Sequence, residues 1–346
     1  MSATDDSLGQ ESNPAISPAT LRGSILARVS RSFYLSIRLL PKKLRDPVSL
    51  GYLLARASDT IADTTKMPRE SRAAKLQLLA RGIQGEALGN AIVDLSASFA
   101  PLQTNKSERA LIESLQSCLD WLDQSELVDR EEIRALLEQI NRGQVLDLER
   151  FRNPKQLLAL ETSAELDEYT YLVAGSAGEF WTRLCFRHLP KFATRSETEM
   201  LGLAKRYGMG LQLINILRDA GADLRAGRCY FPNEELAAAT MEPSQILREP
   251  GRFQPIYRKW REKAEQGIEA GIKYANAVRN RRVRFATVLP ALIGARTLAL
   301  LRDAGATALH RHIKVPRNEV RGIVLSLLVS LGSRSRINSL YRELSK

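Results

Sequence analysis

Cysteine is scarce in this chain. Three occur in 346 residues, Cys118, Cys185 and Cys229, odd in number and far apart. No pair has metal-ligand spacing, and nothing resembles the disulfide framework that staples small secreted domains. A reducing, cytoplasmic setting is expected. Aromatic residues make up only 6%, and glycine and proline are too few for a fibrous or low-complexity chain. No G-x-G-x-x-G follows a strand-like run, which excludes a Rossmann-type nucleotide site. The first residues, MSATDDSLGQESNPAISP, are polar and acidic and lack the basic start and apolar stretch of a signal peptide. The longest apolar run, IVLSLLVSL from Ile323 to Leu331, is about half of the ~20 residues a spanning helix needs. It reads as a buried helix segment, with a membrane-resting surface as the alternative. Acids are the minority charge. Against 51 lysines and arginines stand 39 aspartates and glutamates, a net of +12. That surplus points to anionic partners: nucleic acid, phosphorylated small molecules or an acidic membrane surface.

What is present is helical periodicity, almost throughout. Residues 1–18 read as a flexible tail. Helices are expected over Leu21–Leu40, from an Asp46 cap with Pro47 at its first position to about Asp63, and over Arg69–Leu88, Ser107–Leu122 and Asp129–Phe151. Others are expected over Ser163–Arg187, Ser196–Asp223, Arg252–Arg279, Arg284–Ala304 and Pro316–Leu344. Alternating β-type runs, linkers and internal repeats are missing. The expectation is one all-α domain over residues 19–346, with helices long enough to enclose a central cavity.

Two stretches carry candidate chemistry. In YLLARASDTIAD, Tyr52 to Asp63, the spacing puts Arg56, Asp59 and Asp63 on one helix face beside apolar Leu53, Leu54, Ala57 and Ile61. Paired carboxylates beside buried surface are costly unless a cation compensates. A solvated face with an Arg56–Asp59 pair is the plainer reading of this segment alone. In the second stretch Gln212, Asn215, Asp219 and Asp223 form a continuous stripe on a helix that is otherwise apolar. Such a helix should be buried, with its polar stripe facing a cavity. Carboxylate and amide oxygens suit magnesium, which is usually held by one or two carboxylates together with substrate phosphates. Arg218, Arg225 and Arg228 supply forks for phosphate oxygens. If the two helices face each other, four carboxylates can hold metal ions that clamp a diphosphate. Loss of that diphosphate from an allylic carbon leaves a carbocation, which an apolar chamber would shield from water.

With these residues in place the chain resembles the squalene/phytoene synthase family, which joins two prenyl diphosphates head to head. The resemblance rests on VSRSFYLSIRLLP (29–41), YLLARASDTIAD (52–63), GQVLDL (143–148), YTYLVAG (169–175), GLQLINILRDAGADLRAGRCYFP (210–232) and PALIGARTLALL (290–301), in the family's order. It implies an isoprenoid-synthase-type helical bundle. It further implies Asp59, Asp63, Asn215, Asp219 and Asp223 as magnesium ligands, and Arg31, Tyr52, Arg56, Gln212, Arg218 and Arg228 as substrate-binding. Phe33 would line the prenyl pocket, and Ala177 and Gly178 would leave room for a prenyl tail. Tyr169 would handle the proton or cation of cyclopropane formation. NADPH would be needed if the product is squalene. Peripheral membrane contact is compatible with this reading; nucleic acid is not its partner. Plainer readings stand beside these: Tyr169 and Phe33 as packed core aromatics, and AGSAG (174–178) as close helix packing; Asp147 reads as a helix-face acid or as a group behind the metal ligands, and is not counted among them. The chain departs from the family pattern at Ala62 and Ala222, where relatives often carry an acid before the last aspartate of each motif.

Overall fold

The computed structural model describes residues 16–30, 32–153, 156–330 and 332–346. Arg31 and the side chain of Phe33 therefore lie outside the described residues, as does most of the expected tail. Its last residues are tied down: the Ile16 N–H donates to Ser117 Oγ at 3.0 Å, and Ser17 caps a helical turn.

Helices run through nearly all the rest. The first long one, Lys42–Ala62, starts earlier than its sequence suggests. The Pro41 carbonyl accepts from the Leu44 and Arg45 N–H groups, and Pro47 sits inside the helix, not at its start. Asp46 is no cap; it pairs with Arg22. A proline near the first turn removes one donor, and the apolar stripe through Leu44, Val48 and Leu50 outweighs that loss. The expected helix from Arg69 stops at Ile83, ahead of Gly85 in the left-handed region at φ +94°. Ser107–Leu122 divides into Lys106–Glu113 and Leu115–Asp123, and the Ala91–Phe99 helix has no counterpart in the sequence expectations. Pro316–Leu344 is a hairpin of Arg317–Val329 and Arg334–Leu344, turned by Gly332 at φ +63°.

Four helices matter most to the site. Leu127–Arg150 and Lys42–Ala62 pack together in one core cluster, which holds Leu53, Leu54, Ala57, Ile61 and Leu148. Glu197–Arg225, 29 residues long and opened by a Ser196–Glu199 capping box, places Met200, Leu203 and Ala204 in that cluster and its later apolar residues, from Tyr207 to Leu224, in a second one. There it packs against Pro250–Ala277 and Arg281–Ala304. Gly221 lets this helix approach the Leu309 carbonyl so closely that a Cβ would lie 1.8 Å from it. The fourth, Ser163–Thr170, continues through a π-turn at Tyr171–Gly175 into Ser176–His188. Strands are limited, among the described residues, to Leu158–Ala159 and Arg228–Cys229, which pair in parallel.

The segment Arg281–Leu309 is long and apolar enough to cross a membrane, with a mean hydropathy of 1.4. This corrects the expectation that no stretch reaches that length; Pro290 and scattered arginines hid it. Of its most apolar window 78% is buried, so the helix serves the core. IVLSLLVSL, expected to be buried, is only half so: Ile323 and Leu327 face inward, while Leu325 and Val329 are exposed.

Candidate active site

The two aspartate motifs stand at the ends of two helices whose aspartate-bearing parts pack in different core clusters, and they meet at the seam between them. Asp59 and Asp63 close the Lys42–Ala62 helix. Asp219 and Asp223 close the Glu197–Arg225 helix. The residue that joins them is Arg228. Its Nη2 donates to Asp223 Oδ1 at 2.7 Å, and its Nη1 lies 4.0 Å from Asp147 Oδ2. Its positive charge also favours the ionised form of Asp63. Asp63 and Asp223 in turn feel one another's charge. The short parallel ladder fixes Arg228 there, since Arg228 is paired in register with Leu158.

Burial raises the Asp59 carboxyl to about 6, and the neighbouring Asp63 adds to the rise; Arg56 and a hydrogen bond from Gln144 oppose it. That bond, Gln144 Nε2 to Asp59 Oδ1, is 2.6 Å long. Burial likewise raises Asp147 to about 6, against a 2.6 Å hydrogen bond from the Tyr230 hydroxyl and the pull of Arg228. Asp223 and Asp63 are raised, chiefly by the protein packed around them, with Arg228 opposing in each case. Asp63 itself is open to solvent at the rim, so water screens its share of this effect. Desolvation works against the Arg228 charge, but Tyr230, Asp223 and Asp147 together hold the guanidinium more firmly protonated than usual.

Tyr169 stands in the same group. Its ring stacks on Tyr230 at 5.2 Å between centroids, and Tyr230 meets Phe151 edge-on at 5.0 Å. Burial, then the charge of Asp147, pushes the Tyr169 hydroxyl well above its ordinary value, so it stays protonated.

Other expected residues are placed differently. Arg56 pairs with Glu108 at 2.6 Å, not with Asp59. A ring of protein charges thus replaces the plain helix-face pair. The Tyr52 hydroxyl donates to the Val29 carbonyl at 3.3 Å. Arg218 grips Asp219 through Nε at 2.9 Å and Nη2 at 2.5 Å. Asn215 is exposed and donates to Gln212 Oε1 at 3.3 Å. Leu211, Ile214, Asn215 and Arg218, on one face of the Glu197–Arg225 helix, line a cleft of about 300 Å³ together with Leu289 and Ile293 of the Arg281–Ala304 helix. Ala177 and Gly178 are half-buried at a helix–helix contact. A Cβ on Gly178 would lie 2.3 Å from the Ala204 carbonyl, and Ala177 packs on the first core cluster. Arg225 points to the Leu309 carbonyl at 3.5 Å. Of the two departures from pattern, Ala222 is exposed and Ala62 offers its carbonyl to Arg72.

Sequence reasoning did not assign Gln144, Asp147, Tyr230 or Arg72 to the site. GQVLDL and CYFP were visible as motifs, but a lone glutamine or tyrosine carries no spacing signal. Their roles depend on a third helix and a loop brought in from far along the chain.

Residues 26–319 match a family profile described as Squalene/phytoene synthase. The chain belongs to the squalene/phytoene synthase family. The members of that family are prenyltransferases. Among curated relatives, a bifunctional lycopene cyclase/phytoene synthase of Colletotrichum graminicola is 30% identical over 229 residues, 65% of this chain and 36% of that one. A squalene synthase of Saccharomyces cerevisiae is 31% identical over 213 residues, 61% of this chain and 44% of that one. The chain thus spans well under half the length of either. Among solved structures, TcSQS with the ligand E5700 matches with a TM-score of 0.71 at 22% identity, covering 95% of this chain and 98% of that one. The squalene synthase HpnC of Alicyclobacillus acidocaldarius matches at 0.54 and 21%, covering 84% and 97%. At these identities the structural likeness bears on the fold alone: an all-α isoprenoid-synthase bundle, as expected.

Proposed function

We propose that the chain condenses two farnesyl diphosphates head to head, through presqualene diphosphate, to squalene, with magnesium and NADPH as its cofactors. The observation that carries the diphosphate chemistry is the seam, where Arg228 bridges Asp223 and Asp147 and faces Asp63.

The donor set fits magnesium held jointly with a substrate. Among the described residues no three carboxylates, imidazoles or thiolates converge tightly enough to hold a cation unaided. Magnesium typically takes one or two carboxylates plus phosphate oxygens. Gln144 Oε1 is buried with no partner beside Asp59, an acceptor without a donor. The Nε atoms of Arg56, Arg72 and Arg228 are buried donors without acceptors. Unsatisfied groups of both signs around one seam favour a ligand that carries both cation and anionic oxygen. Asp59, Asp63, Asp219 and Asp223 would hold the metal, which supplies charge neutralisation of the leaving diphosphate. Arg56 and Arg228 would bind phosphate oxygens, and Arg218, at the mouth of the apolar cleft, would meet a second diphosphate whose tail enters that cleft. Tyr169, kept neutral and held flat by Tyr230, would present its hydroxyl and ring face to the cationic carbon as a proton leaves.

Farnesyl chains are favoured by VSRSFYLSIRLLP and SDTIADT, which resemble squalene synthases, whereas LQLINILRDAGADLRAGRCYFP is more like phytoene synthases or bacterial enzymes of the squalene pathway. The match to a lycopene cyclase/phytoene synthase supports a second reading, phytoene from geranylgeranyl diphosphate. Incubating the protein and magnesium with each diphosphate, with and without NADPH, and identifying the hydrocarbon decides between them. Squalene formed only with NADPH supports the first reading; phytoene from the C20 substrate alone replaces it.

A further inference from the structure

The hairpin of Arg317–Val329 and Arg334–Leu344 has a face that the catalytic reading leaves without a role. Leu325, Leu328 and Val329, spaced three and four, form one stripe on the first of these helices and are 62%, 42% and 76% exposed. The opposite stripe, Ile323 and Leu327, is buried against the core. Large aliphatics scattered singly on a surface need no explanation, but three on adjoining turns of one face mark a contact surface.

Its surroundings are basic. Arg321 is exposed one turn before Leu325, and Arg334 and Arg336 are exposed at the start of the second helix. Arg336 Nε donates to Ser326 Oγ at 2.8 Å, which fixes that guanidinium beside the apolar stripe. The acid on the first helix, Glu319, is drawn away into a 2.8 Å pair with Arg296. From Arg317 to Lys346 six basic residues face two acids, a net of +4. An apolar stripe ringed by arginines, with its acid sequestered, matches the boundary between lipid headgroups and acyl chains. The helix cannot span. Its 13 residues give about 20 Å, against a hydrocarbon core of roughly 30 Å.

We propose that this hairpin rests in the plane of an anionic membrane, with Leu325, Leu328 and Val329 entering the headgroup layer and Arg321, Arg334 and Arg336 meeting lipid phosphates. The proposal holds whichever hydrocarbon the enzyme makes.

The test is flotation of the full chain with vesicles of phosphatidylglycerol and phosphatidylcholine, against vesicles of phosphatidylcholine alone. Binding is expected only to the anionic vesicles and should weaken with salt. L325E/V329E should cut it at least tenfold. R321E should cut it about fivefold or more, the weight of one basic residue at such a surface. Both variants should keep the parent's circular dichroism and magnesium-dependent turnover. Absence of binding, equal binding to neutral vesicles, or unchanged binding by L325E/V329E overturns the proposal. So does concentration-dependent self-association lost in that variant, which would make the face a protein interface. Turnover is read separately, so a failed vesicle assay with an active enzyme leaves the catalytic reading intact, and the reverse result does the opposite.

Discussion

At the scale of single residues the site is a set of acids held at the edge of ionisation. Asp59 and Asp147, at about 6, are raised well above an ordinary carboxyl. A carboxyl raised by folding takes up protons that the unfolded chain releases. Its contribution is therefore fully present at pH values below the unfolded value near 4, and is lost as pH climbs through about 6. In the metal-free protein, Asp59→Asn should flatten this part of the stability-versus-pH curve and leave the melting temperature at neutral pH equal or higher, while abolishing turnover. A clear fall in melting temperature at pH 7 would show that Asp59 is a stabilising charge instead. Asp219 accepts two hydrogen bonds from Arg218 near the surface, so Asp219→Asn should abolish turnover at a stability cost of about 1 kcal/mol or less. Tyr230→Phe removes the donor to Asp147 and should cost about 1–3 kcal/mol of stability as well as turnover. On the proposed role of its hydroxyl at the reacting carbon, Tyr169→Phe should lower kcat by about 10²-fold or more with KM nearly unchanged. Equal kinetics in Tyr169→Phe and the parent would return that residue to packing.

At the scale of elements, the periodicity of the long helices was plain in the sequence, because each buries one stripe and exposes another. Leu127–Arg150 and Glu197–Arg225 differ from expectation by two residues or fewer at each end. What the sequence hid are breaks imposed by tertiary contacts. Ser114 interrupts one expected helix and Gly332 another, and neither residue on its own forbids a helix. The aspartate motifs were legible because spacing alone aligns them. Arg228 was legible as a phosphate-binding fork, but its bridge to Asp147, and Gln144 beside Asp59, were not, since a loop and a separate helix bring these groups together. The second aspartate helix depends on one close approach, Gly221 against the Leu309 carbonyl. Gly221→Ala forces backbone apart there and should destabilise the protein by about 2–4 kcal/mol. It should also depress turnover further than Tyr230→Phe, by shifting Asp219 and Asp223 together. Unchanged stability on thermal unfolding would show that the contact yields freely.

At the scale of the whole molecule, the two aspartate pairs sit at the C-terminal ends of two different helices, Lys42–Ala62 and Glu197–Arg225. A ligand that spans the seam holds both helix ends at once, so it should act as a clamp. Magnesium with an unreactive farnesyl thiodiphosphate should raise the melting temperature jointly, by about 2.7 kcal/mol of added stability at a hundred times Kd. Either component alone should do much less, because each leaves one sign of orphaned group unanswered. Equal shifts from the two alone, or no joint shift, would remove the clamp. The +12 net charge predicts that the diphosphate's share of this gain shrinks with salt.

The π-turn at Tyr171–Gly175 has a bearing on how the enzyme keeps its phase. A wide turn of this kind inserts one surplus residue into an otherwise regular spiral. Each residue is worth about 100° of rotation. Removing one position from this turn would let the spiral close up neatly, yet it would swing everything upstream through more than a quarter circle. Tyr169 would then look away from Tyr230 and Asp147 although no atom of the three had been altered.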